Sequence, residues 1–453
     1  MNPSAGLVTA LNAMREMSVN EGKVYHQYVP VVTDSTSIGE FGTPILDPAN
    51  TAVLNDFVGL LKKIVYTAVS TKVFNNPLEQ LEGEALPLGQ FIENTYVNPA
   101  RARKFNVNDF AGLLQKYEAE VAVEYLAVNS DLQYQVTITR DKIRNAFTSW
   151  STLEDFISGL INSLYNGAYI DRYNATKGLI TSAYTSNKVQ VKTITNPTNE
   201  ATAKTFIKEV RATLSKMKVP SINYNAWNKL KPNEFKLKAW SDPADMIVFL
   251  SADVDALTSV EVLARAFNMS ETDFLARVIV VDDFNITDAE GNIVVDGSAI
   301  KAMVCDRAWF KIKTQDFQMD EFYNANNRTW QYYLNDVRMY NYSLFANAVI
   351  FATELPNVDA TKIEFPTDTA SIAQGESVKL QLDVTPPQAT TAITYAVSAA
   401  PEGGATTELT LTPATDGKSV TIKAAADATA GNYTVTATAG ELTDTATITV
   451  TGS

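Results

Sequence analysis

The sequence has almost no cysteine and almost no histidine. Cys305 and His26 are the only examples among 453 residues. One cysteine excludes an intrachain disulfide, so packing must hold the fold together. Cys305 lies in an apolar run and is expected to be a small core residue rather than a reactive thiol. Because His26 stands alone, histidine-based metal sites and Ser-His-Asp hydrolysis are disfavoured, and we expect a structural role for it.

Long apolar runs and an excess of positive charge are also missing. No segment approaches the roughly 18 apolar residues that cross a bilayer, and residues 1–17 lack the pattern of a signal peptide. We therefore expect a soluble protein that is made in a cytoplasm. The 37 basic residues against 51 acidic ones give a formal net charge of −14, which argues against a surface that binds nucleic-acid phosphates tightly.

Two partial motifs resemble ligand-binding loops but lack residues that the chemistry needs. Residues 417–419 match the end of a phosphate-binding loop, yet Thr412 stands where that loop needs glycine. Asp283 begins a segment like a calcium loop, but Asp288 replaces its glycine and Val294 its bidentate glutamate. We expect a turn in the first case and at most a loose surface cation site in the second.

Paired acids are the remaining candidates for catalysis. Asp253 with Asp255, and Asp282 with Asp283, could serve glycoside hydrolysis, which needs two carboxyl groups that face each other across a sugar. Neighbouring acids at helix starts and turns are more often caps. We therefore predict that the chain is not an enzyme and has no catalytic, cofactor-binding or metal-binding residues.

The composition changes sharply near Pro356. Of the 44 aromatic residues, 41 precede it, and threonine becomes the commonest residue after it. The amino-acid composition of a single hydrophobic core rarely changes so abruptly, so we place a domain boundary at about residue 357. Beyond it, apolar and hydroxyl residues alternate with period two, which predicts a small antiparallel sandwich. Its expected strands are Ser377–Val384, Ala392–Ser398, Ser419–Ala424, Asn432–Ala439 and Asp444–Val450.

A long helix is the strongest signal in the first 356 residues. Ser151 and Glu154 have the spacing of a capping box. An apolar stripe follows at steps of three and four residues; it consists of Leu153, Phe156, Ile157, Leu160, Ile161 and Leu164. If the helix continues to about Ala183 it measures roughly 50 Å, so we expect a spine along which a domain is built.

The other elements mix helices and strands, which indicates an α+β fold. Helices are expected at Val53–Ser70, Ala201–Met217 and Val254–Phe267, and strands at Met246–Leu250, Arg277–Val281, Lys301–Lys313 and within Trp330–Phe351. Between the first helix and the spine, Phe74–Leu78 and Leu86–Gly89 are punctuated by proline and glycine. We expect these two pieces to belong to a projecting hairpin or loop rather than to the core.

Several blocks in order along residues 1–356 resemble the major capsid proteins of the φ29-like small tailed bacteriophages. They are Phe74–Leu78 with Pro87–Gly89, Ala146–Trp150 with Phe156, Ile161–Asn162 and Tyr165–Asn166, Ala266–Met269 with Thr272–Leu275, and Trp330–Tyr333 with Phe345–Val349. Residues 373–378 and 431–437 are similar to a bacterial immunoglobulin-like group 2 domain, although Tyr395 stands where that group commonly has tryptophan.

The resemblance implies the HK-97-type capsid fold, with an immunoglobulin-like sandwich at 357–453. This α+β fold has an N-terminal arm, an extended loop, a long spine helix, and peripheral and axial domains. Residues 1–74 would form a flexible arm and a helix, 75–136 the extended loop over a neighbouring subunit, and 137–356 the rest. The expected contacts between subunits in the loop are Asn75, Asn76, Pro77, Leu78, Pro87 and Leu88.

The implied function is self-assembly, in pentamers and hexamers, into the icosahedral or prolate head of a tailed phage. The partners would be other copies of the chain, a scaffolding protein, a portal, and packaged double-stranded DNA without sequence-specific contact, but no membrane. The protein would reside in the virion, and in the host cytoplasm during assembly. Two alternatives stay open: a bacterial surface or adhesion protein with an immunoglobulin-like module, and a polysaccharide-active enzyme whose tail binds sugar.

Overall fold

The computed structural model describes residues 2–64, 74–87, 89–102, 116, 118–257, 278–288 and 290–452, apart from the side chains of 62–64, 161 and 200. The chain forms two compact units. The first consists of Met1–Asn94, Tyr125–Thr176 and Phe310–Tyr342, and the second of Thr95–Glu124, Lys177–Trp309 and Ser343–Ser453. Each unit is therefore assembled from segments that are far apart in the sequence.

Helices and strands are mixed along the described residues, which confirms the predicted α+β class. The helices are α1 Ala5–Asn20, α2 Tyr25–Tyr28, α3 Ile38–Leu46, α4 Thr51–Ile64, α5 Arg140–Ala146, α6 Trp150–Thr185, α7 Glu200–Met217, α8 Trp227–Leu230 and α9 Ala252–Leu257. None of the helices in these residues is long and apolar enough to cross a membrane.

Twelve strands of the described residues precede residue 357. They are β1 Ile92–Val97, β2 Val121–Leu126, β3 Ser130–Thr139, β4 Gln190–Thr193, β5 Met246–Ser251, β6 Val278–Val281, β7 Ile286–Thr287, β8 Ile293–Val295, β9 Ile300–Asp306, β10 Phe310–Asn324, β11 Thr329–Tyr342 and β12 Ala348–Ala352. The predicted strand Lys301–Lys313 is two strands, because Arg307–Trp309 form one helical turn between β9 and β10. The predicted ends of two helices, beyond Ile64 and beyond Leu257, lie outside the described residues.

The first unit packs helices against one face of a three-stranded antiparallel sheet in the order β10-β11-β3. Alternate residues of β11, Trp330, Tyr332 and Leu334, are buried in a hydrophobic core to which α1, α3, α4 and α6 contribute. The Tyr332 hydroxyl donates to the Val58 carbonyl at 2.7 Å. The period of two along β11 therefore decides which face of the sheet the helices cover.

The N-terminal segment is helical and buried, so the expectation of a flexible arm is wrong. Ser4 caps α1 by accepting a hydrogen bond from the Leu7 amide at 3.3 Å. Leu7, Leu11 and Met14 lie at steps of four and three residues and are buried in the core of the first unit. A stripe of this kind is what an amphipathic helix needs to pack on a core. The lone histidine, His26, follows in α2.

Helix α6 is the predicted spine helix. Its 36 residues span roughly 54 Å at 1.5 Å per residue. The predicted Ser151 and Glu154 capping box is wrong: Ser149 caps the helix by accepting from the Thr152 amide at 3.1 Å, and Glu154 accepts from the Ser4 hydroxyl. Of the predicted stripe, Leu153, Ile157, Leu160 and Leu164 are buried, Phe156 is half-buried, and the side chain of Ile161 lies outside the described residues.

The second unit contains a five-stranded sheet in the order β4-β12-β9-β5-β6. Its two outer pairs are parallel and its two inner pairs antiparallel. Helix α7 packs on it, since Phe206, Val210 and Leu214 share a core with sheet residues such as Leu250 and Phe351. Cys305 lies in β9 and is fully buried, as expected of a small apolar side chain.

Residues after 357 form two main sheets around a core of their own. The strands are β13 Lys362–Glu364, β14 Thr369–Ala373, β15 Ser377–Gln381, β16 Asp383–Thr385, β17 Ile393–Ala399, β18 Leu409–Pro413, β19 Ser419–Ala424, β20 Gly431–Ala439 and β21 Leu442–Thr451. One sheet has the order β14-β21-β20-β17 and the other β15-β19-β18, and β13 pairs with β16. Ile363, Leu380, Val420, Tyr433 and Ile448 are buried together between them. We call this segment the tail.

Candidate subunit-contact site

The segment 74–87 begins the predicted extended loop. Asn75, Pro77 and Pro87 are exposed, whereas Asn76 and Leu78 are buried by their own chain, and Leu88 lies outside the described residues. The Asn76 side-chain carbonyl accepts from the Leu78 amide at 2.9 Å, the hydrogen bond of an Asx turn. Asn76 and Leu78 therefore shape the loop from inside.

The same segment follows the edge of the sheet of the first unit rather than projecting from it. The Gly83 amide donates to the Ile312 carbonyl at 2.9 Å, and the Leu86 amide to the Thr314 carbonyl at 2.7 Å. Leu81 and Leu86 are consequently buried. The expectation of a projecting piece is wrong up to residue 86, because this segment pairs with the open edge of β10.

Strand β2 presents a different surface. Its residues alternate between exposed and buried. Val121, Val123 and Tyr125 are exposed by 46%, 37% and 66%. Phe91, which precedes β1, is exposed by 62%, and its ring centroid lies 6.0 Å from that of Tyr125. Strand β2 therefore has an apolar outer row in contact with solvent, which is unusual for a monomer.

The inner side of β1 and β2 is anchored within the second unit. The Tyr96 hydroxyl donates to the Lys238 carbonyl at 2.6 Å, and Glu124 accepts from the Leu344 amide at 3.0 Å. Ala122 is buried in a small core with Trp227 and Leu237. Because these contacts fix one face of the two strands, the outer row is held in place and available to a partner.

A buried charge network lies in the first unit. Asp336 accepts from Arg172 at 2.8 and 3.2 Å and from Arg338 at 2.6 Å, and Arg338 lies 2.7 Å from Glu82. The Arg172 guanidinium stacks over the Phe317 ring at 3.9 Å. Burial would lower the pKa of Arg338, but the hydrogen bond and charge of Glu82 and the charge of Asp336 raise it. The network joins the spine helix, β11 and the loop segment through paired charges.

Sequence reasoning missed this network. Asp336 and Arg338 occupy buried positions of β11, where apolar residues would be expected. The sequence does contain one indication of it. Asp336 and Arg338 continue the alternation of Tyr332 and Leu334, so the strand directs all four side chains to the same face. Nothing in the sequence pointed to Arg172 as the partner.

The residues weighed for catalysis are used in structural contacts. Lys177 is nearly buried and donates to Asp282 at 3.0 Å and to Asp283 at 3.2 Å. Asp253 and Asp255 lie in the first turn of α9, where acids favour a helix. No group of three or more His, Cys, Asp or Glu residues that could hold a metal ion occurs among the described residues.

The two isolated residues, Cys305 and His26, also have ordinary surroundings. Burial raises the pKa of the Cys305 thiol well above its usual value, with a smaller contribution from the charge of Asp306. A thiol of this kind is inert, since the thiolate is the nucleophile. The Nδ1 atom of His26 lies 3.1 Å from the Ser18 hydroxyl oxygen.

The fold that contains the spine helix is similar to that of a phage capsid protein. A capsid structure from Staphylococcus phage Andhra matches the chain with a TM-score of 0.50 and 13% identity, over 64% of this chain and 89% of that one. At this identity the match concerns the fold alone. The α+β architecture is the HK-97-type capsid fold that the sequence predicted.

The family is shown by sequence. The model of the Phi29-like phage major capsid protein family matches residues 11–352, and the chain belongs to this family. The major capsid protein of Bacillus phage PZA is 29% identical over 376 residues, which cover 82% of this chain and 79% of that protein. That of Bacillus phage B103 is 31% identical over 374 residues, covering 81% and 77%.

The function predicted from the sequence is thereby confirmed. The chain is a structural subunit of a tailed phage, located in the virion capsid, and it acts by associating with other copies of itself. The alternative of a bacterial surface or adhesion protein is not favoured. The match ends at residue 352, four residues before the change of composition at Pro356.

Proposed function

We propose that the outer row of β2 covers a neighbouring subunit, in a shell of pentamers and hexamers that encloses double-stranded DNA. The observation that carries this proposal is the exposure of Val121, Val123 and Tyr125 on a strand whose other face is fixed. Contiguous exposed apolar surface on a folded chain is typical of a protein interface. A second copy is the partner that self-association supplies.

Burial of this row would favour assembly. Full burial of one such side chain contributes roughly 1.5–3 kcal/mol, so three of them contribute on the order of 5 kcal/mol per contact before the loss of rotational and translational freedom is subtracted. In a closed shell every subunit would have its own row buried by one neighbour and would bury the row of another. A modest contact is therefore repeated over the whole lattice.

We also propose that the exposed loop residues Asn75, Pro77 and Pro87 touch the neighbour. Their exposure supports this, whereas Asn76 and Leu78 act indirectly by shaping the turn. The predicted contact at Leu88 remains part of the proposal, although that residue lies outside the described ones. The loop would thus meet the neighbour at separate points on either side of the buried Leu81 and Leu86.

The remaining partners belong to the same proposal. A scaffolding protein and a portal would act during assembly, and the packaged DNA would touch the shell without sequence-specific contact. The net charge of −14 supports weak contact with DNA, because an acidic wall does not displace the counterions of the phosphates. Enzymatic activity is not part of the proposed function.

We propose further that residues 357–453 are a separate domain of immunoglobulin-like type. Two sheets around a core drawn from residues 363–450 support this. The predicted strand Ser377–Val384 is β15 followed by β16. The other four predicted strands agree with β17, β19, β20 and β21, while β13, β14 and β18 were not predicted. The tail would be an addition to a shell subunit that is complete without it.

Val123→Glu tests the contact of β2. The carboxylate remains in water in the free subunit but would be buried without a partner in the assembled shell, which is costly. We expect the variant to fold and to lose assembly in electron micrographs and sedimentation. The matched control is Val219→Glu, at a valine that is 61% exposed outside the row; normal shells from both variants would remove the proposal.

A further inference from the structure

A cleft in the second unit separates the tail from the loop that follows α8. Its volume is about 650 Å³. Lys229, Lys231 and Lys236 line it from α8 and the loop, and Lys418 from the turn before β19. The acids that line it are Glu234, Asp383 and Asp416. Four lysines and three acids thus line one cavity in a chain that is acidic as a whole.

Lys229 has neutral partners. Its Nζ donates to the Asn187 side-chain carbonyl at 2.5 Å and to the Val189 carbonyl at 2.8 Å. The Asn187 amide nitrogen in turn donates to the Gln388 carbonyl of the tail at 2.7 Å. No carboxylate of the described residues lies within ion-pair distance of Lys229, so its positive charge is not neutralised.

Lys418 approaches the cleft from the tail. Its Nζ donates to the Pro387 carbonyl, and it too has no ion pair among the described residues. An ammonium group carries three N–H donors. With two donors used by Lys229 and one by Lys418, three of the six have no partner among the described residues.

Both lysines have lowered pKa values, and the charge of Lys418 acts on Lys229. Burial, and then the charge of Lys418, lower the pKa of Lys229 to about 8. Burial also lowers the pKa of Lys418, against the opposing charge of Asp416. Burial is the larger cause of both shifts, and the charge of Lys418 adds a repulsion at Lys229 that a bound anion would relieve.

We propose that this cleft binds a polyvalent oxyanion, a phosphate group or a polycarboxylate, between Lys229 and Lys418. Each ammonium would donate to one side of the anion, whose several oxygens match several donors better than a halide does. Lys418 belongs to the tail, whereas Lys229 belongs to the segment before it. A bound anion would therefore bridge the tail to the rest of its unit.

Occupancy of the cleft would strengthen the attachment of the tail. In the absence of an anion, the Asn187 to Gln388 hydrogen bond must hold against the repulsion of two half-buried ammonium groups. A bound anion would neutralise the two ammonium groups, so that the hydrogen bond is no longer opposed by their repulsion. All the lining residues belong to one chain, so binding can be measured on the unassembled protein.

Calorimetric titration of the full chain with inorganic phosphate, and separately with citrate, tests the site. Ionic strength is kept constant with sodium chloride, and the titrations begin at pH 7.5. We expect one saturable site per chain for at least one anion. Lys229→Met and Lys418→Met should each weaken binding at least tenfold, while Lys423→Met, at an exposed tail lysine outside the cleft lining, should not.

A pH series distinguishes this site from general salt effects. Affinity should fall as the pH rises from 7.5 to 9.5, because Lys229 then loses its proton, and the fall should be smaller in Lys229→Met. Circular dichroism checks that each variant is folded. If Lys229→Met does not fold, Lys229→Gln is used in its place. Binding of citrate alone would assign a carboxylate ligand; unsaturable heats with both anions, or equal affinity in both cleft variants and the control, would overturn the proposal.

Discussion

At the scale of single residues, Asp336 is the charge on which the first unit depends. It lies between Arg172 and Arg338 and is 2% exposed. A buried ion pair adds little stability compared with apolar side chains in the same place. Removing one partner, however, leaves the remaining charges buried without an opposite charge. The alternation along β11 predicts that Asp336 points inward, but it cannot identify a partner on the spine helix.

Asp336→Asn should destabilise the chain strongly. Two guanidinium groups would then lack their shared carboxylate, and we expect the free energy of unfolding in urea to fall by about 3–5 kcal/mol. Asp320→Asn is the matched control, since Asp320 is exposed and accepts one hydrogen bond from Asn335; it should change stability by less than about 0.5 kcal/mol. Similar losses in both variants would contradict the role given to the network.

Glu408 provides a pH-dependent contact in the tail. The Tyr433 hydroxyl, the Thr429 amide and the Ala405 amide donate to it and lower its pKa from 4.5 to about 2. A lowered pKa means that the stabilisation is complete above the unfolded value and is lost as the pH falls from about 4.5 to about 2.

Glu408→Gln should therefore reduce the fall in unfolding temperature of the tail between pH 5 and pH 2. Thermal unfolding followed by circular dichroism between pH 2 and 5 measures this. The exposed Glu402 offers the comparison Glu402→Gln, which should keep the original slope. If both variants follow the unsubstituted chain, the hydrogen bonds of Glu408 do not contribute to the folded tail.

At the scale of elements, the spine helix shows what sequence patterns can and cannot predict. Its length and its buried stripe follow from spacing alone, because four of the six predicted stripe residues are buried in the core. Its cap was assigned to the wrong serine, because Ser151 has Glu154 three residues on and Ser149 does not, whereas the backbone places Ser149 at the start of the helix. Helices α1 to α3 were not predicted, although Leu7, Leu11 and Met14 of α1 have the spacing of an amphipathic helix.

The two serines can be told apart by mutation. Ser149→Ala removes the acceptor of the Thr152 amide and should cost about 1 kcal/mol of stability. Ser151→Ala should cost much less, because Ser151 is exposed and caps nothing. Denaturant unfolding of both variants provides the measurement, and an equal or reversed order would mean that the helix begins elsewhere.

At the scale of the whole molecule, the contact units do not follow the predicted linear domains. The second unit includes the tail together with residues 177–309, while the tail keeps a hydrophobic core of its own. Composition predicted the change at Pro356, because a threonine-rich sandwich needs few aromatics. It could not predict the cleft, which depends on Lys418 and Lys229 being brought together by folding.

Deletion of residues 357–453 should leave a chain that still assembles. The family match ends at residue 352, and the tail core contains no residue from before 360. Electron microscopy of the truncated protein should show closed shells. Aggregates alone, from a truncated chain whose circular dichroism is native-like, would mean that the tail is needed for assembly.

The pairing of β11 with β3 has a consequence for synthesis. Thr329 is opposite Thr139 and Arg338 is opposite Ser130, so the middle strand of the sheet leaves the ribosome long after its neighbour. Until then the aromatic faces of α3 and α4 have no sheet to cover them, and such delayed long-range pairing is slow and prone to aggregation. The nascent chain is thus most vulnerable after α3 and α4 have emerged and before β11 has followed, and chaperone binding should concentrate in that interval.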